Sequence, residues 1–136
     1  MGTRREAREC ALKMLYQIDL SQCSAQEAMN AFWSGESHDV DVMTFANQLV
    51  EGVLQEKETI DPLVATHSTH WKITRMPAVD KNILRLAVYE LKHFPDIPLK
   101  VTLNEAIEIA KKYGTEESGA FINGVLDKLG KELKTS

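Results

Sequence analysis

The residues best suited to bind a ligand lie near the amino terminus, where three arginines occur within five positions. Arg4 and Arg8 are four residues apart and lie on one side of a helix, with Arg5 beside them. A guanidinium offers fixed charge and paired donors, and a helix amino terminus attracts anions. The pattern therefore suits a phosphate-binding helix end. The alternative is a solvated helix end, in which Arg5 pairs with Glu9 and Arg4 with Glu6.

A second group of candidate binding residues lies in the last third of the chain. Lys111, Lys112 and Tyr113 end a predicted helix, Gly114 breaks it, and Phe121 follows near the start of the next. Basic side chains beside aromatic rings can hold single-stranded RNA through charge and base stacking. The alternative is that both rings belong to the core and that the lysines are ordinary charges at a helix carboxyl end.

Patterns that would support catalysis or metal binding are weak. The sequence contains no glycine-rich phosphate loop, no nucleophile elbow and no H-E-x-x-H pair. His67 and His70 have a spacing that can bind zinc, but no nearby cysteine completes a ligand set, and we interpret them as surface histidines. We therefore expect a non-catalytic protein without a metal site or a cofactor.

The net charge of the chain is −4, but this charge is unevenly distributed. Residues 24–70 carry eight acids against one lysine, whereas residues 1–16 carry four bases against two acids. Residues 71–136 carry eleven bases against nine acids. The composition excludes a uniformly basic protein and leaves room for a basic face that binds nucleic acid.

Composition also bounds the class of protein. A hydrophobic content of 43% in 136 residues is typical of one globular domain. No apolar run is long enough to cross a bilayer, and the first residues lack a hydrophobic signal core. Cys10 and Cys23 form neither a disulfide framework nor a C-x-x-C pair. We therefore expect a reduced, cytoplasmic protein without membrane contact.

The hydrophobic pattern predicts an all-α fold of about seven helices and no strand. Thr3–Glu6, Ser24–Glu27 and Thr102–Glu105 each have the capping-box pattern that starts a helix. The predicted helices begin near residues 3, 24, 41, 61, 77, 102 and 117.

Prolines set two of the predicted boundaries. A third helix is predicted from about residue 41 to 59, and Asp61-Pro62 predicts a short fourth helix, since proline suits the first helical position. The fifth helix follows Met76-Pro77, and its wide apolar surface predicts the most buried helix. We expect one domain over residues 1–136, with an amino-terminal half to about residue 70 and a carboxyl-terminal half over 71–136.

Several segments, in one order and register, carry a resemblance that covers nearly the whole chain. They are Arg4–Ala11, Ile83–Leu91, Val101–Lys111 and Phe121–Asp127. Together they resemble the bacterial NusB family of transcription antitermination factors. The resemblance implies an all-α, NusB-like fold of two packed helical halves and no catalysis. It also implies pairing with NusE, a small-subunit ribosomal protein. The pair recognises boxA RNA in nascent transcripts, notably of rRNA operons, and with other Nus factors helps RNA polymerase resist termination.

The resemblance also implies which residues bind RNA and which bind the partner. The positions that match the RNA-facing side are Arg4, Arg5, Arg8, Lys111, Lys112, Glu117, Gly119, Phe121 and Asn123. The positions that match the NusE-facing surface are Tyr16 and Asp80, with Arg85 as a further candidate. Glu6 interrupts a run that is all basic in some relatives. We therefore expect the chain alone to bind RNA weakly.

Three alternatives stay open on the sequence. A helical adaptor that binds only proteins would also suit the acidic residues 24–70, since ribosomal proteins are typically basic.

The all-helical module of this chain also resembles an amino-terminal RNA-binding domain of certain rRNA cytosine methyltransferases. These 136 residues include no methyltransferase domain, so we expect the stand-alone factor. Composition does not decide between a monomer and a homodimer that hides the arginine-rich helix.

Overall fold

The structure, a computed structural model, describes residues 3–35, 38–68 and 72–135. These residues form six α-helices and one short 3₁₀-helix, and no strand occurs among them. The α-helices are α1 (Arg4–Ser21), α2 (Ala25–Trp33), α3 (Val40–His67), α4 (Ala78–His93), α5 (Leu99–Tyr113) and α6 (Ser118–Thr135), and the 3₁₀-helix is Ile73–Arg75. The predicted all-α fold of about seven helical segments is confirmed. Within the described ranges, no helix is long and apolar enough to cross a membrane.

Helices α1 and α2 begin where the capping pattern predicts. The Thr3 hydroxyl accepts a hydrogen bond from the Glu6 amide at 3.0 Å. At α2, Ser24 Oγ accepts from the Glu27 amide and the Glu27 carboxylate accepts from the Ser24 amide, both at 3.1 Å. Each bond satisfies an amide that the helix itself leaves unpaired, so these starts follow from local sequence alone.

Helix α3 replaces two predicted helices with one helix of 28 residues that contains Pro62. The prediction that Asp61-Pro62 begins a new helix was wrong. The fully buried side chains of Val53, Ile60 and Val64 repeat at helical spacing on both sides of the proline. Burial of this stripe offsets the roughly 3 kcal/mol that a proline costs inside a helix.

Helix α5 begins at Leu99, one turn before its predicted start at Thr102. The Pro98 carbonyl accepts hydrogen bonds from the amides of Val101 and Thr102, so the first turn has formed before Thr102 is reached. Thr102 is buried inside the helix, and its hydroxyl has no hydrogen-bond partner in the described part of the chain. The predicted capping box at Thr102–Glu105 was therefore wrong.

The chain divides into two compact units, one up to Gln55 and the other from Glu56 onward. In the first unit, α1 packs on α2. In the second, α4, α5 and α6 pack against one another, and α4 buries eleven of its sixteen residues. That burial agrees with the wide apolar surface of α4 in the sequence. The predicted single domain with a division near residue 70 stays a prediction.

Candidate nucleic-acid interface

The arginine-rich first turns of α1 contain two exposed arginines and one buried one. Arg4 and Arg5 are exposed, whereas Arg8 is only 5% exposed. The Arg4 guanidinium carbon lies 5.4 Å from the centre of the Phe45 ring, which restricts the side chain while leaving its donors available. Of these three arginines, Arg4 and Arg5 therefore present their charge to solvent, and Arg8 does not.

A cavity of about 250 Å³ lies beside Arg4, but its lining does not suit a phosphate. Asp41 shares the lining with Arg4, and Val42 and Phe45 supply apolar walls. A carboxylate repels an anion, so a phosphate is favoured on the solvent side of Arg4 and Arg5 rather than inside this cavity.

The carboxyl end of α5 presents two exposed lysines. Lys111 Nζ lies 3.6 Å from Glu108 Oε1, and Lys112 Nζ lies 5.3 Å from the centre of the Tyr113 ring. An exposed ion pair of this kind contributes at most about 1 kcal/mol, so Lys111 can exchange Glu108 for a phosphate at little cost. The chemistry predicted for this helix end is therefore available to a ligand.

Gly114 allows the chain to turn sharply between α5 and α6. A Cβ atom added at Gly114 would lie 2.4 Å from Ser118 Oγ and 2.8 Å from the Ala110 carbonyl oxygen. Only glycine fits this approach. Gly119 is different, because an added Cβ would make ordinary contacts at 3.8 Å with Ile107 and Lys111. The close packing at the α5–α6 junction therefore requires glycine at position 114 and not at position 119.

The remaining predicted RNA-binding residues lie at or after the start of α6. Glu117 and Asn123 are exposed, and Phe121 is half-buried. The buried side of α6 is formed by Ile122, Val125, Leu126 and Leu129. Phe121 lies at the margin of that side, so part of its ring is available for stacking and part belongs to the packing. The two predicted clusters lie in different units, α1 in the first and the α5–α6 junction in the second.

Tyr16, a predicted partner contact, is 39% exposed on α1. Leu20, one turn further along, is 61% exposed, and the sequence reasoning assigned it no role. Two large apolar side chains exposed one turn apart can form part of a protein contact surface. The hydrophobic pattern of α1 could not show this, because it identifies the buried face and leaves exposed apolar residues unassigned.

Asp80, the second predicted partner contact, is 5% exposed in the first turn of α4. Ser118 Oγ donates a hydrogen bond to Asp80 Oδ1 at 2.7 Å. Burial raises the pKa of Asp80, and the hydrogen bond from Ser118 partly opposes this rise. The Asp80 carboxylate is therefore held mainly by a contact within the chain.

Arg85 is 4% exposed and forms a bidentate ion pair inside the second unit. Its Nε and Nη2 atoms donate to the two Asp61 carboxylate oxygens, each at 2.8 Å, and Nη1 donates to Asn82 Oδ1 at 3.0 Å. This geometry joins α3 to α4 and is a structural role. Contact of Arg85 with a partner protein stays a prediction.

The histidine pair considered for zinc is only partly described. His67 Nε2 lies 2.5 Å from Glu132 Oε2, and Nδ1 lies 2.8 Å from the Leu63 carbonyl oxygen, so both ring nitrogens are engaged. His70 lies outside the described residues. Among residues 3–35, 38–68 and 72–135, no group of three or more potential metal ligands comes together.

Comparison with known proteins gives one consistent result. The model of the NusB family matches residues 5–131. The chain is 45% identical to a protein named transcription antitermination protein NusB from Myxococcus xanthus (strain DK1622), over 98% of both chains. It is 51% identical to the protein of the same name from Trichlorobacter lovleyi, over 95% of this chain and 91% of the relative.

Solved structures show the same similarity. The fold matches T. maritima NusB with a TM-score of 0.90 and 38% identity, over 96% of this chain and 92% of that one. It also matches a chain in a crystal structure of antitermination factors NusB and NusE in complex with dsRNA. That match has a TM-score of 0.86 and 29% identity, over 95% of this chain and 96% of that one.

Proposed function

The chain belongs to the NusB family of transcription antitermination factors, a family without enzymatic activity, and we propose that it binds boxA RNA together with NusE. In this proposal the complex forms on nascent transcripts in the cytoplasm, notably on those of rRNA operons. With other Nus factors it helps RNA polymerase resist termination. The protein supplies binding surfaces and no chemical step.

Exposed basic side chains at two predicted RNA-binding clusters carry this proposal. Arg4 and Arg5 are exposed on α1, and Lys111 and Lys112 are exposed at the end of α5. The match to a protein crystallised with NusE and dsRNA supports the same assignment. Arginine and lysine neutralise phosphates, while Phe121 at the junction offers a ring on which a base can stack.

The partner surface of the proposal centres on Tyr16, with Leu20 beside it on α1. An apolar pair of this kind suits a protein contact, and the eight acids in residues 24–70 attract a basic ribosomal protein. Asp80 and Arg85, which lie in the second unit, are further proposed contacts with the partner. Their burial limits each of them to a small exposed edge.

Replacing both exposed arginines, Arg4→Ala with Arg5→Ala, is expected to weaken boxA RNA binding by the NusE complex and to lower its salt dependence. Each lost phosphate contact changes the slope of log affinity against log salt by about 0.7 for single-stranded RNA. Two lost contacts should therefore flatten that slope by about 1.4. The measurement is RNA affinity at several salt concentrations, by fluorescence anisotropy. Arg8 is left unchanged, because replacing a buried arginine would also affect stability.

A control variant separates local contacts from total charge. Lys72→Ala with Lys131→Ala removes the same charge from exposed lysines outside the predicted clusters. We expect this control to keep the wild-type salt slope. If both double variants change affinity and slope equally, α1 is not an RNA contact.

A further inference from the structure

The Ser118 hydroxyl lies at the centre of a buried hydrogen-bond network that joins α4 to the α5–α6 junction. Ser118 Oγ accepts a hydrogen bond from the Thr115 amide at 2.9 Å and donates one to Asp80 Oδ1 at 2.7 Å. A hydroxyl has one proton, and an ionised carboxylate only accepts. The direction of both bonds is therefore determined, and Ser118 is bonded to a residue that is 38 positions away in the chain.

The network determines the path of the junction. Gly114 approaches Ser118 so closely that a Cβ atom would collide with the hydroxyl. The Ser118 amide donates to the Thr115 carbonyl at 3.1 Å, and the Glu117 amide donates to Thr115 Oγ1 at 3.3 Å. Three hydrogen bonds within residues 115–118, the bond from Ser118 to Asp80 and the close approach of Gly114 thus fix the segment between Gly114 and Ser118. That segment connects Lys111 and Lys112 to Phe121, so its conformation sets the spacing of the proposed RNA contacts.

The buried carboxylate of Asp80 is poorly suited to a role in stability alone. Within the described ranges, Ser118 is the one hydrogen-bond donor to its carboxylate, and no ion pair compensates its burial. A buried carboxylate with so little compensation is costly, and burial accordingly raises the pKa of Asp80. An apolar residue would pack there at lower cost. The carboxylate therefore points to a role in orienting Ser118.

We propose that Asp80 and Ser118 are positioning residues for RNA binding, whose hydrogen bond holds the α5–α6 junction in the conformation that presents Lys111, Lys112 and Phe121. This inference rests on the proposed RNA-binding function. It gives Asp80 a task that needs no partner protein. Contact of a partner with the exposed edge of Asp80 would then act on the RNA-binding junction through Ser118.

The test is RNA binding by the chain alone, with boxA RNA, at a temperature where circular dichroism shows every variant fully folded. Ser118→Ala and Asp80→Ala are each expected to weaken binding by about tenfold, the equivalent of one to two hydrogen bonds. The double variant should be no weaker than either single one, because both break the same bond. Asp80→Asn should keep the wild-type affinity, since its amide oxygen still accepts the Ser118 hydroxyl.

The salt slope separates positioning from a purely structural role. If Ser118 positions the lysines, Ser118→Ala should flatten the slope of log RNA affinity against log salt as much as the double variant Lys111→Ala with Lys112→Ala does. Adding the two lysine substitutions to Ser118→Ala should then change RNA affinity little further. Ser34→Ala, which removes an exposed serine hydroxyl in the first unit, serves as the control and should bind like wild type.

Two results distinguish this inference from the proposed function. If the lysine variant loses affinity while Ser118→Ala binds like wild type, the positioning role is overturned and RNA binding at the junction stands. If Asp80→Asn is as weak as Asp80→Ala, the hydrogen bond is not the cause and the inference is again overturned. If the lysine variant itself binds like wild type, the junction is not an RNA contact, and the inference fails with that part of the proposed function.

Discussion

Replacing Asp61 with alanine is expected to destabilise the protein by about 3 kcal/mol, because it removes the carboxylate that pairs with two nitrogens of the buried Arg85 guanidinium. Both oxygens of Asp61 accept hydrogen bonds from Arg85 at 2.8 Å, and Arg85 is 4% exposed. Burying an unpaired charge costs more than the pair itself contributes. The measurement is the free energy of unfolding from urea denaturation. The dependence of this free energy on urea concentration is compared between variant and wild type to show that unfolding stays two-state.

Two controls test this account of the ion pair. Asp61→Ala combined with Arg85→Met should recover much of the lost stability, because methionine removes the buried positive charge that Asp61 compensates in the wild type. Glu108→Ala breaks the exposed contact with Lys111 and should change stability by less than about 1 kcal/mol. If Asp61→Ala lowers the free energy of unfolding by no more than Glu108→Ala does, the Asp61–Arg85 pair does not hold α3 to α4.

Replacing Gly114 with alanine is expected to destabilise the second unit by about 2 kcal/mol and to weaken RNA binding. The new Cβ would lie 2.4 Å from Ser118 Oγ and 2.8 Å from the Ala110 carbonyl oxygen, so the junction must shift. Backbone strain is not the cause, since the φ angle of Gly114 is −94°, which any residue can adopt. Thermal unfolding and RNA affinity measure the two effects on one sample.

Gly124→Ala is the matched control, in the interior of α6. Nothing lies within 4 Å of a Cβ added there, so alanine should stabilise the helix by about 0.5–1 kcal/mol. Wild-type stability and RNA affinity in Gly114→Ala would contradict the close approach at the junction.

Local sequence predicted those parts of the fold that depend on local contacts. Thr3 and Ser24 start α1 and α2 through hydrogen bonds to residues three positions away, so their patterns are reliable guides. Pro62 and Thr102 misled the sequence reasoning, because their positions depend on other parts of the chain. The buried stripe of α3 continues past Pro62, and Pro98 starts α5 before Thr102 is reached.

In the candidate site, too, the features that depend on local sequence could be predicted, and the contacts between helices could not. Arg4, Arg5, Lys111 and Lys112 are exposed, as their sequence positions predict. The burial of Arg8 was accessible to sequence reasoning, because it lies one turn before the buried Ala11 and Leu12 on α1. The contact between Asp80 and Ser118 could not be predicted from the sequence, since no periodic pattern relates two residues on different helices.

In the proposed function, this protein contributes an RNA-contacting surface to its complex with NusE. The most direct test is the affinity of boxA RNA for the chain alone, for NusE alone and for the equimolar mixture, under one salt condition. We predict that the mixture binds at least about tenfold more tightly than either protein alone, a coupling free energy of about 1.4 kcal/mol. A mixture that binds RNA no more tightly than NusE alone would contradict an RNA contact by this protein and favour the alternative, an adaptor that contacts only proteins.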